Sequence, residues 1–310
     1  MKLSAKKLYQ GALLIAAFFA LLLVILRTVL VLGKYDAALG HFQESFLSSY
    51  GYGLCLAIAV IFFLFFAIIT RDRAPSPDFS SSPLTLLSSA FAAFAAFVWI
   101  LDTAIAMLGK TATSTETLLL VLCLLSSLSL IGYMGAVALS RKSLSLSVGT
   151  CLGGALFCVF YALLAYFNTS FTLNSPIKIF DQMTFLSLLL FFLAEARMRL
   201  GKRGAPFYAF SAMTALVMTA ADSLPGLIYF AARENALVGS FMYDFLVFAL
   251  FLYVLARLVL LSVSFPKEEE NKASSAAFLT EQDTAPIKRE DNPLYDTSAE
   301  ATIDFDRRKF

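Results

Sequence analysis

Stretches of apolar residues long enough to cross a lipid bilayer dominate this chain. The hydrocarbon core of a bilayer is about 30 Å thick and an α-helix rises about 1.5 Å per residue, so a spanning helix needs about 20 apolar residues. Eight stretches qualify: Gly11–Leu32, Gly53–Thr70, Leu84–Leu108, Thr117–Ser140, Ser147–Phe167, Ile179–Leu200, Pro206–Ala231 and Leu237–Ser262. The sequence therefore predicts an all-α fold, a polytopic transmembrane helix bundle of about eight spans.

The composition agrees with this class. Hydrophobic residues make up 59% of the 310 residues and charged residues 15%, whereas soluble proteins average roughly 45–50% and about 25%. The partner that such a surface requires is the lipid bilayer. The formal net charge of +2 gives no reason to expect nucleic acid as a partner.

The basic residues of the short connecting segments predict the orientation of the bundle. Cytoplasmic loops of membrane proteins carry an excess of Lys and Arg. With the N-terminus inside, eleven basic residues lie on the inner side and four on the outer side. The inner ones are Lys2, Lys6, Lys7, Arg71, Arg73, Arg141, Lys142, Arg197, Arg199, Lys202 and Arg203, and the outer ones are Lys34, Lys110, Lys178 and Arg233. We expect a multipass protein of the plasma membrane with both termini in the cytoplasm.

A change of composition near residue 265 predicts two domains. Residues 265–310 hold seven basic and eleven acidic residues and few large apolar ones. Such a segment cannot bury enough apolar surface to offset the entropy of ordering. We therefore expect a transmembrane helical domain over residues 1–264 and a disordered cytoplasmic tail over 265–310, through which a protein partner could bind.

Two inner helix ends have similar sequences, which suggests an internal duplication. LFFAIITRDRAP (Leu64–Pro75) and LFFLAEARMR (Leu190–Arg199) share Leu-Phe-Phe and two arginines at equal spacing. They close the second and sixth spans, so a real match predicts two halves of four helices in parallel orientation, a 4+4 repeat. A chance match among common residues is the alternative.

Four ionisable side chains fall at similar depth near the predicted outer ends of their spans. They are Arg27, Asp102, Asp222 and Asp244, roughly 9–14 Å below the outer boundary at 1.5 Å per residue. Charged residues inside spans cost about 2.5–3.5 kcal/mol each and usually face the bundle interior or water. Fully ionised, this layer would carry a net charge of −2. We hypothesise one ion pair of Arg27 with a carboxylate, and one or two aspartates that are protonated or bind a cation.

Two neighbouring residues support a polar cavity beside Asp222. Pro225 lacks a backbone N–H and so frees a helix carbonyl, and Gly226 follows it. The structural alternative is that buried ion pairs merely hold helices in register. A second group lies at the inner end, where Glu195 and Arg199 have i,i+4 spacing and Arg257 lies at similar depth, which is typical of snorkelling at a helix end.

The motifs of common enzyme classes are absent from the sequence. It contains no H-E-x-x-H zinc site, no G-x-S-x-G nucleophile elbow and no G-x-x-x-x-G-K-[ST] phosphate loop. We therefore expect no catalytic residues, no cofactor and no metal, and the enzyme hypothesis ranks last.

The stretch ILRTVLVLGKYDAALGHF (Ile25–Phe42), through Arg27, Tyr35-Asp36 and Gly40-His41-Phe42, resembles uncharacterised multipass inner-membrane proteins of Gram-positive bacteria. That resemblance implies no function. The charged layer favours a transporter or permease for a small cationic or proton-coupled solute, with Arg27, Asp102, Asp222 and Asp244 as ligand-binding residues. The alternative is a noncatalytic membrane sensor or assembly subunit that acts through its loops and tail.

Overall fold

The computed structural model confirms the predicted all-α membrane bundle. It describes residues 5–36, 41–43, 50–70, 82–107, 114–139, 148–167, 175–200, 204–233 and 241–263. The helices are α1 (Ala5–Lys34), α2 (Tyr52–Ile69), α3 (Pro83–Met107), α4 (Ser114–Leu139), α5 (Val148–Cys151), α6 (Gly153–Phe167), α7 (Pro176–Arg199), α8 (Ala205–Arg233) and α9 (Phe241–Val263). The predicted tail, 265–310, lies outside the described residues.

Among the described residues, seven helices are long and apolar enough to cross a membrane, and α6 is a shorter apolar helix of 15 residues. The predicted fifth span, Ser147–Phe167, is therefore divided between the four-residue α5 and α6. Two glycines at the start of α6 explain the close packing there. A Cβ on Gly154 would lie 2.7 Å from the ring of Phe192 on α7, and one on Gly153 would lie 3.0 Å from Tyr133 on α4. Small residues let helix backbones approach each other closely in membranes.

Helix α8 is the centre of the bundle. It packs against α1, α2, α7 and α9. Between Ser211 and Ser223 nearly every residue of α8 is buried, and this segment is rich in Ala, Ser and Thr. The small side chains leave room for four neighbouring helices around one helix.

The remaining helices extend the bundle from this centre. Helix α9 packs on α3, α3 on α4, α4 on α6, and α6 on α7. Because α7 and α9 both contact α8, these pairs close a ring of six helices. The central α8 contacts α1 and α7, whereas α3, its counterpart in a 4+4 repeat, contacts α4 and α9. Other corresponding pairs do pack in both halves, such as α3 on α4 and α8 on α9. The contacts therefore agree with the repeat only in part, and the duplication stays a prediction.

The outer surface of the bundle is apolar, as contact with lipid requires. Large apolar side chains are exposed along most of the long helices, for example Leu14, Ile61, Leu87 and Leu128, whereas the central part of α8 and all of α9 before Val263 have none. In water, exposed apolar surface of this extent marks an interaction site or an aggregation liability. In a bilayer it is solvated by acyl chains.

A short β-hairpin that the sequence did not predict follows α1. β1 (Tyr35–Asp36) pairs antiparallel with β2 (His41–Phe42). The Tyr35 ring lies edge-on to Tyr229 of α8, with centroids 6.3 Å apart. Partial burial raises the pKa of the Tyr35 hydroxyl, and Tyr229 and the Asp181 carboxylate raise it further. The hairpin thus lies over the end of the bundle that carries the predicted charged layer.

Candidate functional site

Four ionisable side chains from four helices meet inside the predicted outer half of the bundle. Arg27 comes from α1, Asp181 from α7, Asp222 from α8 and Asp244 from α9. All four are shielded, with relative exposures of 4%, 5%, 3% and 3% in that order. We refer to these residues as the outer charge cluster. Three of the four predicted site residues belong to it, and Asp181 replaces the fourth.

Arg27 is held on two sides. Its Nη1 lies 3.0 Å from Oδ1 of Asp222, and its guanidinium lies flat over the Phe180 ring, 3.7 Å from the centroid. The Tyr52 ring meets Phe180 edge-on at 5.5 Å, with its hydroxyl close to the guanidinium. An arginine stacked on an aromatic face gains a cation–π attraction that strengthens when water is excluded. The ion pair predicted for Arg27 is therefore present, and Asp222 is its partner.

Asp222 has partners for both carboxylate oxygens. Oδ1 faces Arg27, and Oδ2 accepts a hydrogen bond of 3.2 Å from the Tyr243 hydroxyl. The Tyr243 ring in turn stacks on Tyr161, with centroids 5.6 Å apart and planes 13° from parallel. The Asp222 carboxyl group is thus held in position by contacts from α1 and α9. The proline at 225 is part of α8 and cannot donate to the carbonyl four residues earlier.

The Asp181 carboxyl group lies near Asp222 and Arg27 and interacts electrostatically with both. Two neighbouring carboxylates repel each other where water is excluded, so one proton on this pair is favoured. Asp222 already serves Arg27, which makes Asp181 the natural holder of that proton. Oδ1 of Asp181 is buried and has no hydrogen-bond partner among the described residues.

Asp181 is not among the site residues that the sequence predicts, although its depth along the helix is a usable signal. The residue lies five positions after the start of α7 at Pro176, or about 7.5 Å along the helix. That depth is close to the depth assigned to Arg27. Asp181 lay near the edge of the predicted span beginning at Ile179, where a charge is ordinary, and so it was not singled out.

Asp244 packs directly against the backbone of α8. A Cβ on Gly226 would overlap the Asp244 carboxyl group, so only glycine leaves room for it. Oδ2 of Asp244 is buried without a hydrogen-bond partner among the described residues. The glycine at 226 is therefore explained by the carboxyl group of the neighbouring helix, rather than by backbone flexibility.

Asp102 does not join the cluster. It is half-buried near the end of α3, and no ion pair or hydrogen bond of the described residues connects it to Arg27, Asp222 or Asp244. The physical reason is helix placement, because α3 packs against α4 and α9 and not against α1 or α7. Counting residues gives the depth of Asp102 along its helix. The position of that helix in the bundle decides which side chains it can meet.

The cluster has an excess of negative groups. Three carboxyl groups surround one guanidinium, which gives a formal charge of −2 if all four are ionised. One proton between Asp181 and Asp222 removes one charge, and a proton or cation at Asp244 would remove the other. Within the described part of the chain, no three His, Cys, Asp or Glu side chains converge to hold a metal ion. The unpartnered oxygens of Asp181 and Asp244 suit protons and N–H donors.

A second charged group lies at the other end of α7 and α9. Glu195 accepts hydrogen bonds from Arg199 at 2.9 Å and Tyr253 at 2.8 Å, and pairs with Arg257 at 2.7 Å. The predicted Glu195–Arg199 pair is confirmed. The expectation of snorkelling is wrong for Glu195 and Arg257, which are 0% and 3% exposed, because the tyrosine and both arginines satisfy the carboxylate within the bundle.

An aromatic layer separates the two charged groups. Along α7, Glu195 follows Asp181 by 14 positions, or about 21 Å. Phe185 stacks on Tyr161 between them, with centroids 3.6 Å apart, and Phe157 packs on Phe185 at 5.5 Å. Both ends of the bundle are therefore closed off from each other by packed rings.

The comparisons with protein-family models, curated proteins and solved structures found no match. The resemblance to multipass membrane proteins of Gram-positive bacteria stays a prediction. The function must therefore be argued from the geometry of the outer charge cluster.

Proposed function

We propose that this integral membrane protein is a transporter for a small cationic or proton-coupled solute, which binds at the outer charge cluster. One observation carries the proposal: among the described residues, three buried carboxyl groups share a single guanidinium, and two of their oxygens have no hydrogen-bond partner there. Burying an unpaired carboxylate is costly, so the cluster must take up protons or a cation. The plasma membrane is the location we propose for it.

The three carboxyl groups have different tasks in this proposal. Asp222 pairs with Arg27 at 3.0 Å and accepts a hydrogen bond from Tyr243, so both of its oxygens are already engaged. Asp181 and Asp244 each present an unpartnered oxygen. A protonated amine or a similar cation that donates hydrogen bonds to these two oxygens would replace one of the protons held there, and the other proton would remain. Charge at the site then stays balanced, because one positive charge enters as one proton leaves.

The structure corresponds to an occluded state in this scheme. The cluster is nearly inaccessible to solvent, and packed aromatic rings lie between it and Glu195. A transporter exposes its site to one side of the membrane at a time, with the site near the meeting point of several helices. Four helices contribute to this cluster, so relative movement of any one of them changes its access.

Binding measurements on the purified full-length chain test the proposal. Thermal unfolding is followed with Na⁺, K⁺, methylammonium and ethylammonium at pH 6 and pH 8. A cation that binds the folded protein raises its unfolding temperature with concentration. Because protons compete for the same oxygens, we expect stronger stabilisation at pH 8 than at pH 6.

Isosteric variants identify the site. We expect Asp181→Asn and Asp244→Asn to lose at least about tenfold in apparent affinity, which corresponds to one charge-assisted hydrogen bond. Asp102→Asn is the matched control, since Asp102 lies in a span at similar depth without joining the cluster. Equal stabilisation of all variants, or no stabilisation of the wild type by any of the four cations, would contradict the proposal. In the second case the sensor or assembly-subunit hypothesis would take its place.

A further inference from the structure

An apolar groove on the lipid-facing side of the bundle leads to the outer charge cluster. It lies between α2 and α7, with α8 as its floor, and has a volume of about 580 Å³. Helix α2 packs on α1 and α8, which leaves its other flank beside this groove. The walls are formed by side chains such as Leu56 and Val60 of α2 and Met183, Leu186 and Leu190 of α7.

Two aromatic side chains separate the groove from the charges. Tyr52 and Phe180 both line the groove, and Phe180 carries the Arg27 guanidinium on its ring face. Asp181 directly follows Phe180 in α7. Rotation of the Phe180 ring would therefore open this end of the groove towards Arg27, the ion-pair partner of Asp222.

The serine and threonine hydroxyls that line the groove in the described part of the chain are engaged within their own helices. The hydroxyls of Ser187, Ser211 and Thr214 each donate to a carbonyl of their own helix, at 2.7, 3.0 and 2.9 Å. Polar groups in a ligand would lose their hydration along this surface without replacement. A hydrocarbon chain has no polar groups and therefore loses no hydrogen bonds on this surface.

We propose that the groove and the outer charge cluster together bind a single-chain amphiphile with a protonated amine head. This inference rests on the proposed function and names the class of cation more closely. Charge complementarity determines the head: the cluster has three carboxyl groups for one guanidinium, so it attracts a cation and repels a sulfonate or phosphate. The alkyl chain occupies the groove, and the substrate reaches the site from the bilayer.

The groove also limits the chain length. From Tyr52 to Ile61 it follows nine residues of α2, or about 14 Å. An extended chain covers about 3.6 Å in three bonds. A chain of roughly ten to twelve carbons therefore fills the groove, and longer chains extend into lipid.

A homologous series of ligands tests the inference. The full-length protein is placed in lipid nanodiscs, and its thermal stabilisation is measured with n-alkylammonium ions from butyl to tetradecyl. We expect the apparent affinity to rise about three- to fourfold per CH₂ and to level off near decyl to dodecyl. Alkanols and alkyl sulfonates of equal length should bind at least about tenfold more weakly.

Two alanines supply a matched pair of variants. Ala57 lines the groove and Ala90 of α3 is exposed elsewhere on the lipid-facing surface. Ala57→Leu should lower the chain length at which the affinity levels off and should weaken the binding of decylammonium about tenfold. Ala90→Leu should leave the binding of decylammonium unchanged. Asp181→Asn should remove the preference for ammonium over alkanol.

The failures are distinguishable. If ethylammonium binds in an Asp181-dependent manner but longer chains bind no better, the inference is wrong and the proposed function stands. If alkanols stabilise as well as ammonium ions, or Ala57→Leu and Ala90→Leu behave alike, the groove holds only bulk lipid and the inference is also wrong. If no ammonium ion of any length binds, both proposals fail.

Discussion

The most informative perturbation is to remove Asp181 and Asp222 one at a time and then together. Asp222 is the ion-pair partner of Arg27, and breaking a buried pair usually costs about 3–5 kcal/mol. Here the Asp181 carboxyl group adjoins both Asp222 and Arg27. In Asp222→Asn it can lose its proton and neutralise the guanidinium.

The free energy of unfolding should therefore fall by only about 1–2 kcal/mol in Asp222→Asn or in Asp181→Asn, comparable with the loss of one hydrogen bond to a charged group. In the double variant the adjoining carboxyl group is gone as well, and the loss should reach about 4–5 kcal/mol, as for a broken buried pair. At the middle of these ranges the single losses sum to about 3 kcal/mol and the double loss is about 4.5 kcal/mol. The excess over additivity is then about 1.5 kcal/mol, inside the range of roughly 0.5–3 kcal/mol for directly coupled residues.

Thermal or denaturant unfolding of the four proteins measures this coupling. Since about 1 kcal/mol shifts the unfolding temperature of a domain of this size by roughly 2–4 °C, the double variant should unfold about 8–20 °C below wild type. The cycle of Asp102→Asn with Asp222→Asn is the control and should be additive. Additive effects in the Asp181 cycle, or the full loss in Asp222→Asn alone, would refute the shared-charge reasoning.

Two further predictions concern the rest of the bundle. Glu195→Gln leaves the buried Arg257 without its counter-charge, so we expect the free energy of unfolding to fall by about 3–5 kcal/mol in the same assay. A loss below about 1 kcal/mol would contradict the buried network. Gly154→Ala should cost about 1–3 kcal/mol through overlap with the Phe192 ring, whereas Gly135→Ala in α4, where a Cβ meets nothing, should be neutral or slightly stabilising. Equal melting temperatures for the two alanine variants would show that α6 does not pack as closely as described.

Much of the fold follows from the sequence because lipid imposes a simple rule. A segment that crosses the bilayer must be helical, apolar and about 20 residues long, and every predicted span but one corresponds to a single continuous helix in the structure. The exception is the fifth, where Gly153 and Gly154 begin a shorter helix after a break. Neighbour relations could not be predicted, since every span is apolar and no pattern says which pair will pack.

The site was predicted in part for the same reason. Depth along a helix follows from counting residues, so Arg27, Asp222 and Asp244 could be assigned to one layer. The rotation of each helix about its axis and the packing order of the helices do not follow from counting residues. For this reason the predicted layer includes Asp102 and omits Asp181. The need for a small residue at Gly226 follows only from the structure, in which α9 places the Asp244 carboxyl group against it.

The most direct test of the central claim is infrared spectroscopy of the protonated carboxyl C=O band in the purified protein at neutral pH. We predict a C=O band from buried carboxylic acid that weakens in Asp181→Asn and in Asp244→Asn. The band should stay unchanged in Asp102→Asn and should weaken when ethylammonium is added to the wild type. A spectrum without a protonated carboxyl band, or a band that none of these aspartates affects, would contradict the account, because the outer charge cluster would then hold no exchangeable proton.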